Sequence, residues 1–270
     1  MISEPDAGIS AETKAARSSS FGHVAGHYER YRPGPPAEAV TWLIPTAVDT
    51  VVDLGAGTGA LTRLLVGHAG TVIAVEPDER MRAVLMAEVA GITAVEGKGE
   101  SMPLPDRSAD AVIASSSWHW VDVVPALGEV ARVLKPGGLL AALWSGPDPE
   151  SPFIMQAREL LSGAGGAGTS ETLAALAERD RPVDQVLRIP EGLPFRQPEL
   201  EIFRWDMALT ADDLVGLLGT FSWVILMEPA EREHLLDTAR RLLRDVVGIE
   251  GDTTIDIAFR CDTYRARLLD

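Results

Sequence analysis

From residue 50 to residue 144, short apolar runs alternate with longer stretches whose apolar positions recur at helical spacing. The runs are TVVDLG (50–55), TVIAVE (71–76), ITAVEG (92–97), DAVIAS (110–115) and GLLAALW (138–144). Helical periodicity fills the gaps from Ala60, from Asp78 to Ala90 and over 122–134. Alternation of this kind predicts parallel strands joined by crossover helices on both faces of one sheet. The stretches 51–54 and 139–143 are almost continuously apolar, as central strands covered on both sides should be.

The flanks read differently. Residues 1–20 are small and polar, which predicts a flexible tail. Apolar residues return at helical spacing from Phe21 to Tyr31, and Pro33, Pro35 and Pro36 interrupt them. Pro36 can open a second short helix carrying Val40, Trp42, Leu43 and Ile44. Beyond Trp144, SGPDPESP predicts a loop, Phe153 to Leu161 a helix, and GAGGAG (163–168) a flexible lid or connector. Period-two alternation marks two last strands, LEIFRWDMAL (200–209) and TTIDIAFRCDTY (253–264), paired antiparallel at one edge, with helices over 211–219 and 230–246. The expected fold is α/β, a doubly wound, mostly parallel seven-stranded sheet with an antiparallel last strand, N-terminal helices and a helical cap. Its expected parts are a tail (1–20), N-terminal helices (21–46), a ligand-binding core (47–146), a cap with the sixth strand (147–250) and the final strand (251–270).

Composition narrows the function. With 46% hydrophobic and 24% charged residues over 270 positions, a sizeable core is expected. The balance of 24 Lys+Arg against 40 Asp+Glu, a net charge of −16, opposes nucleic acid and anionic membrane surfaces as partners. A small, neutral or cationic partner suits it better. The single cysteine, Cys261, permits neither an internal disulfide nor a cysteine metal site, and His23 and His27 lack a third ligand, so no metal is expected. The opening MISEPDAGIS has no basic stretch followed by an apolar one, and no run of about 18 apolar residues occurs, which gives a cytoplasmic expectation.

The candidate chemistry begins at Val51-Val52-Asp53-Leu54-Gly55-Ala56-Gly57-Thr58-Gly59, where a buried strand turns sharply into a helix. Glycines there permit unusual backbone angles and close approach of a ligand to the main chain. Alone, this loop also satisfies a dinucleotide fingerprint, with Glu76 placed where a ribose-binding acid belongs. Its neighbours favour another ligand. Asp53 sets a carboxylate beside the loop, which repels a pyrophosphate and suits an ammonium or sulfonium group. Glycine at every other position from 55 to 59 widens the turn, and the blocks MPLPDRSADAV (102–112) and LKPGG (134–138) have no place in a hydride-transfer fingerprint.

The segments VVDLGAGTGALT (51–62), AVEPDERM (74–81), EGKGESMPLPDRSADAV (96–112), SSSWHWVD (115–122) and LKPGGLLAALW (134–144) together resemble the class I S-adenosylmethionine-dependent methyltransferases, in that family's order and spacing. HYERYRPGPP (27–36) and IAFRCDTYRAR (257–267) resemble the opening segment and closing strand of the branch that includes trans-aconitate-type methyltransferases. The resemblance implies a Rossmann-like methyltransferase fold, S-adenosylmethionine as cofactor and S-adenosylhomocysteine as product. It implies that Gly55, Ala56 and Gly57 support the methionine portion, with Asp53 near its ammonium. It further implies that Glu76 accepts both ribose hydroxyls, that Met81 packs on adenine, and that Gly99 and Glu100 meet the adenine edge. Ser115 belongs to the same cofactor set. Lys98 departs from the family, many members of which carry an acid there, so no adenine-amine contact is expected from it.

Around this set, Tyr28 and Arg32 lie in the segment that folds over the cofactor in relatives, and Arg32 could pair with the cofactor carboxylate or with a surface acid. His119, between Trp118 and Trp120 beyond the fourth strand, is the candidate catalytic base, or else a histidine tethered in a pocket wall. Trp118, Trp120, Trp205 and Trp223 are the candidate acceptor wall, with Phe221 beside them; the alternative for such aromatics is the core. The expected reaction is in-line methyl transfer to oxygen, nitrogen or carbon of a small-molecule acceptor. A methyltransferase-fold cyclase or a non-catalytic cofactor-binding protein are the alternatives.

Overall fold

The computed structural model of the chain describes residues 25–155, 186–249 and 251–269. Helices α1 (Ala25–Tyr31) and α2 (Ala37–Leu43) precede β1 (Val48–Leu54), α3 (Ala60–Leu65), β2 (Ala69–Val75), α4 (Glu79–Glu88), β3 (Thr93–Val95) and β4 (Ala109–Ser115). A 3₁₀ turn at Trp118–Trp120, α5 (Val123–Val133) and β5 (Leu134–Pro147) follow. Then come β6 (Glu199–Thr210), α6 (Ala211–Leu218), α7 (Ser222–Ile225), α8 (Pro229–Leu242) and β7 (Thr254–Arg267).

The strands form one seven-stranded sheet in the order β3-β2-β1-β4-β5-β7-β6. Strands β1 to β5 pair in parallel. Strand β7 runs antiparallel to both β5 and β6, which makes it the one reversed strand. The chain winds from β1 outward through β2 to β3, then crosses back to β4 on the other side of β1. The crevice beyond the carboxyl ends of β1 and β4 is therefore a topological switch point, where sheets of this type bind ligands.

Side-chain alternation assigns each strand residue to a face. Val52, Leu54, Val112, Ala114, Leu140 and Ala142 join one buried cluster with Ala126, Leu127, Val130 and Val133 of α5. Val51, Ala111, Ile113, Leu139, Ala141 and Leu143 join the other, with Val40 and Leu43 of α2 and Leu61 and Leu65 of α3. Each valine, leucine and isoleucine among them contributes about 1.5–3 kcal/mol when fully buried, so the middle of the sheet is held by apolar packing on both faces.

Several elements differ from expectation in length. Strand β3 is only Thr93–Val95, whereas β5 begins early because Leu134 pairs with Ala109 before a register irregularity that precedes the Ala111 to Leu139 pair. Gly137, with φ 71, takes up that irregularity inside LKPGG. The expected helix from Phe153 lies outside the described residues beyond Met155, as do the glycine-rich 163–168 segment and the 1–20 tail. Among the described residues no helix is long and apolar enough to cross a membrane.

The N-terminal helix docks on the cap. His27 Nε2 donates to the Gly216 carbonyl of α6 at 3.0 Å, and the Tyr31 ring lies against Gly216, where a Cβ would run into it. Arg32, one residue past α1, stacks its guanidinium over the Phe221 ring at 4.9 Å.

Candidate functional site

The glycine loop is shaped by its neighbours. Gly55, Gly57 and Gly59 all have positive φ (68, 57 and 100), a conformation that L side chains resist. Their reasons differ. A Cβ on Gly55 would lie 2.5 Å from Ser117 Cβ, so that glycine admits the turn after β4, whereas a Cβ on Gly57 meets nothing within 4 Å. The amides of Gly55 and Ala56 both donate to the Val75 carbonyl, at 2.8 and 3.2 Å, which folds the loop back over the end of β2. Ser117 Oγ donates to the Leu54 carbonyl at 2.6 Å and ties the β4 turn to the same place.

Glu76 directly follows β2 and is 8% exposed. Its Oε2 accepts the Gly57 amide and its Oε1 the Asp78 amide, both at 2.9 Å. Each oxygen keeps a second lone pair for a ligand. Burial pushes the Glu76 pKa up, while the two amide bonds and the Arg82 charge act against the rise. Asp78 turns the chain into α4 as its N-cap, accepting the amides of Arg80 and Met81.

Asp53 falls on the α3 face of β1 because side chains alternate along the strand. It is fully buried; Oδ2 accepts the Thr62 hydroxyl at 2.6 Å, and Oδ1 has no hydrogen-bond partner. Burial lifts its pKa to about 7, with the Glu76 charge adding to the rise and the Thr62 hydroxyl opposing it. A buried carboxylate with one oxygen unmatched is the kind of group a nearby cation stabilises.

Over these residues opens a cleft of about 660 Å³, large enough for a nucleoside with an amino-acid tail. It brings together Arg32, Gly55, Ala56, Gly57, Glu76, Met81, Gly99, Glu100, Ser115 and Trp120 of the expected set. Asp53 is not in its wall and sits beneath the loop instead.

Three other expected residues do not reach the cleft wall. Trp118 is 2% exposed within the α5-side core, and Trp205 stacks on Phe259 with ring centroids 5.5 Å apart. His119 accepts a hydrogen bond at Nδ1 from Trp144 Nε1 at 3.0 Å and lies against the Trp120 ring, with ring centroids 4.4 Å apart. The packing places Trp118 in the core, where its large apolar area is best buried, and leaves Trp205 partly buried against Phe259. The side chains of Tyr28 and Trp223 lie outside what the structure describes.

Sequence reasoning missed Ser116, Ser117 and Ser145, which line the cleft at the carboxyl ends of β4 and β5. The ends of two adjacent parallel strands were a sufficient signal for Ser145. Nothing in the sequence announces the left-handed backbone of Ser116, with φ 51.

The comparisons with known proteins agree with this geometry. The family model described as a methyltransferase domain matches residues 52–142. An uncharacterized methyltransferase of Mycobacterium tuberculosis is 38% identical over 251 residues, which covers 93% of this chain and 96% of that protein. The chain belongs to the class I S-adenosylmethionine-dependent methyltransferases. A solved structure of a protein assigned as a type II methyltransferase, from Anaeromyxobacter dehalogenans, is similar to this methyltransferase with a TM-score of 0.63 and 25% identity, covering 88% of this chain and 99% of that one. The fold also matches, at a TM-score of 0.51 and 15% identity, that of Haemonchus contortus phosphoethanolamine N-methyltransferase 2, solved with phosphomonomethylethanolamine and S-adenosylhomocysteine, over 97% of this chain and 61% of that one.

The residues present fit the methyltransferase cofactor. The exposed backbone at Gly57, the buried carboxylate with an unmatched oxygen beneath the loop, and a second buried carboxylate with spare lone pairs at the end of β2 match an ammonium tail and a ribose diol.

Proposed function

We propose that this methyltransferase transfers the methyl group of S-adenosylmethionine to a small-molecule acceptor held in the same cleft. The observation that carries the reading is the pairing of a bare glycine loop with buried acids on both sides of it, at the switch point of the sheet. In this reading Gly55, Ala56 and Gly57 face the methionine portion, and Asp53 balances its ammonium from below. Glu76 takes the ribose hydroxyls, Met81 the adenine face, and Gly99 and Glu100 the adenine edge. Ser115 and Arg32 complete the enclosure, Arg32 from the segment that bridges to the cap.

The bound cofactor supplies an activated methyl on a cationic sulfur. What the protein must add is alignment in a dry site, which can supply on the order of 7–11 kcal/mol, whereas a general base adds a factor of about 100 to 10,000. The cleft is built for alignment. Val121, Val124 and Trp120 form its apolar wall, and Ser115 and Ser145 stand at adjacent strand ends. His119 has its Nδ1 committed to Trp144, so we assign it to supporting the wall and not to removing a proton.

The small-molecule assignment rests on a net charge of −16, which disfavours polyanions, and on a cleft of about 660 Å³, which admits the cofactor and a compact acceptor. The test is incubation of the enzyme and methyl-labelled cofactor with a cell extract divided into small-molecule, protein and nucleic-acid fractions. Label in the small-molecule fraction is the expected result. Label confined to protein or nucleic acid contradicts the proposal.

A further inference from the structure

A residue outside the cleft grips the turn that carries its ribose-side acid. Arg82, in the first turns of α4, reaches back over the strand-to-helix turn Glu76-Pro77-Asp78. Its Nη1 donates to the Glu76 carbonyl at 2.6 Å and to the Pro77 carbonyl at 2.8 Å, and its Nη2 meets the Glu96 carboxylate at 3.2 Å. The side chain is 17% exposed; its bond to the Glu76 carbonyl is partly buried, and those to Pro77 and Glu96 lie at the surface.

The Pro77 carbonyl and the Asp78 amide belong to one peptide unit, and a peptide unit is planar. Fixing its oxygen therefore fixes the direction of its N–H. That N–H is the one donating to Glu76 Oε1 at 2.9 Å, while the Gly57 amide holds Oε2. The guanidinium thus acts on the carboxylate through a single rigid plane. The planar fork of the guanidinium holds two carbonyls and an acid in fixed directions, which a lysine ammonium on a flexible stem does not reproduce.

We propose that Arg82 is a positioning residue for the cofactor ribose, aiming the Glu76 carboxylate through the Pro77–Asp78 peptide. This rests on the reading that Glu76 takes the ribose hydroxyls, and the experiment separates the two. Calorimetry would measure binding of S-adenosylhomocysteine and of its 2′,3′-dideoxy analogue to wild type, Arg82→Gln, Arg82→Lys, Glu76→Gln and the Arg82→Gln/Glu76→Gln double variant, with a thermal melt of each.

Arg82→Gln and Arg82→Lys are each expected to weaken the natural ligand on the order of 10-fold, as loss of a group that orients a ligand-binding side chain does. The dideoxy analogue, which cannot use Glu76, should bind the Arg82 variants as it binds wild type. The double variant should bind no more weakly than Glu76→Gln alone. Equal weakening of both ligands, additive losses, or unchanged affinity for the natural ligand in a folded Arg82 variant would overturn the proposal. Unchanged affinity in Glu76→Gln would instead overturn the ribose reading on which it stands. Should Arg82→Gln not fold, Arg82→Lys, which keeps the charge, decides between the same outcomes.

Discussion

The indole Nε1 of Trp144, near the end of β5, donates a 3.0 Å hydrogen bond to Nδ1 of His119, in the turn beyond β4. Acceptance at Nδ1 places the ring proton of the neutral imidazole on Nε2, because a proton on Nδ1 would face the indole N–H. It also satisfies a donor on a side chain that is only 5% exposed. Removing the acceptor leaves that donor stranded. His119→Ala is therefore expected to cost about 1–3 kcal/mol of stability in chemical denaturation. Its methyl-transfer rate should fall by much less than the factor of about 100 or more that loss of a general base brings.

Asp53 makes stability depend on pH. Its folded pKa is about 7 against an ordinary 3.8, so between those values the folded protein binds more protons than the unfolded chain. Stability then falls as pH rises through this window, and the full cost of burying the charge is reached above about pH 7. Asp53→Asn removes that contribution. Denaturation midpoints of variant and wild type should converge near pH 4 and separate toward pH 8, the variant being the more stable at the higher pH. A difference that stays constant across the range would contradict the assignment of the charge to the buried site.

Much of this was legible in the sequence. The order of apolar runs predicted the strands of the sheet, and the near-continuous apolar character of 51–54 and 139–143 marked its central strands. Glycines at 55, 57 and 59 implied left-handed backbone, since few other residues tolerate it. What could not be read are relationships that exist only after folding. Trp118 and Trp205 look like residues of a ligand wall, and only the α5-side core around Trp118 and the placement of Phe259 against Trp205 show them packed elsewhere. The His119 to Trp144 bond spans two parallel strands. Arg82 looks like one more solvent-facing helix residue until the turn beneath it is seen.

Gly216 tests how the cap and the cofactor side are joined. Tyr31 rests on it, and Arg32, Pro33 and Gly34, the residues immediately after α1, line the cleft. Gly216→Val should displace α1, cost about 1–3 kcal/mol through overpacking, and weaken S-adenosylhomocysteine binding although residue 216 does not touch the cleft. Faster proteolysis within residues 25–34 in the variant would show that the segment has come loose. Unaltered affinity and protection would show that the docking is incidental.

Gly55 and Gly57 should separate folding from binding. Gly55→Ala forces a Cβ to within 2.5 Å of Ser117, so a lower melting temperature is the main expected effect. The Cβ of Gly57→Val meets no protein atom within 4 Å, and the substitution costs backbone strain of about 1–3 kcal/mol and puts a branched side chain in the cleft. Melting curves and ligand titrations on the two variants, taken together, check the division.

The most direct measurement is calorimetric titration of wild type and Gly57→Val with S-adenosylhomocysteine, after melting curves have shown both to be folded. Saturable one-to-one binding to wild type and none to the variant is expected. Absence of binding to well-folded wild type, or equal affinity for both proteins, would contradict the proposed cofactor site.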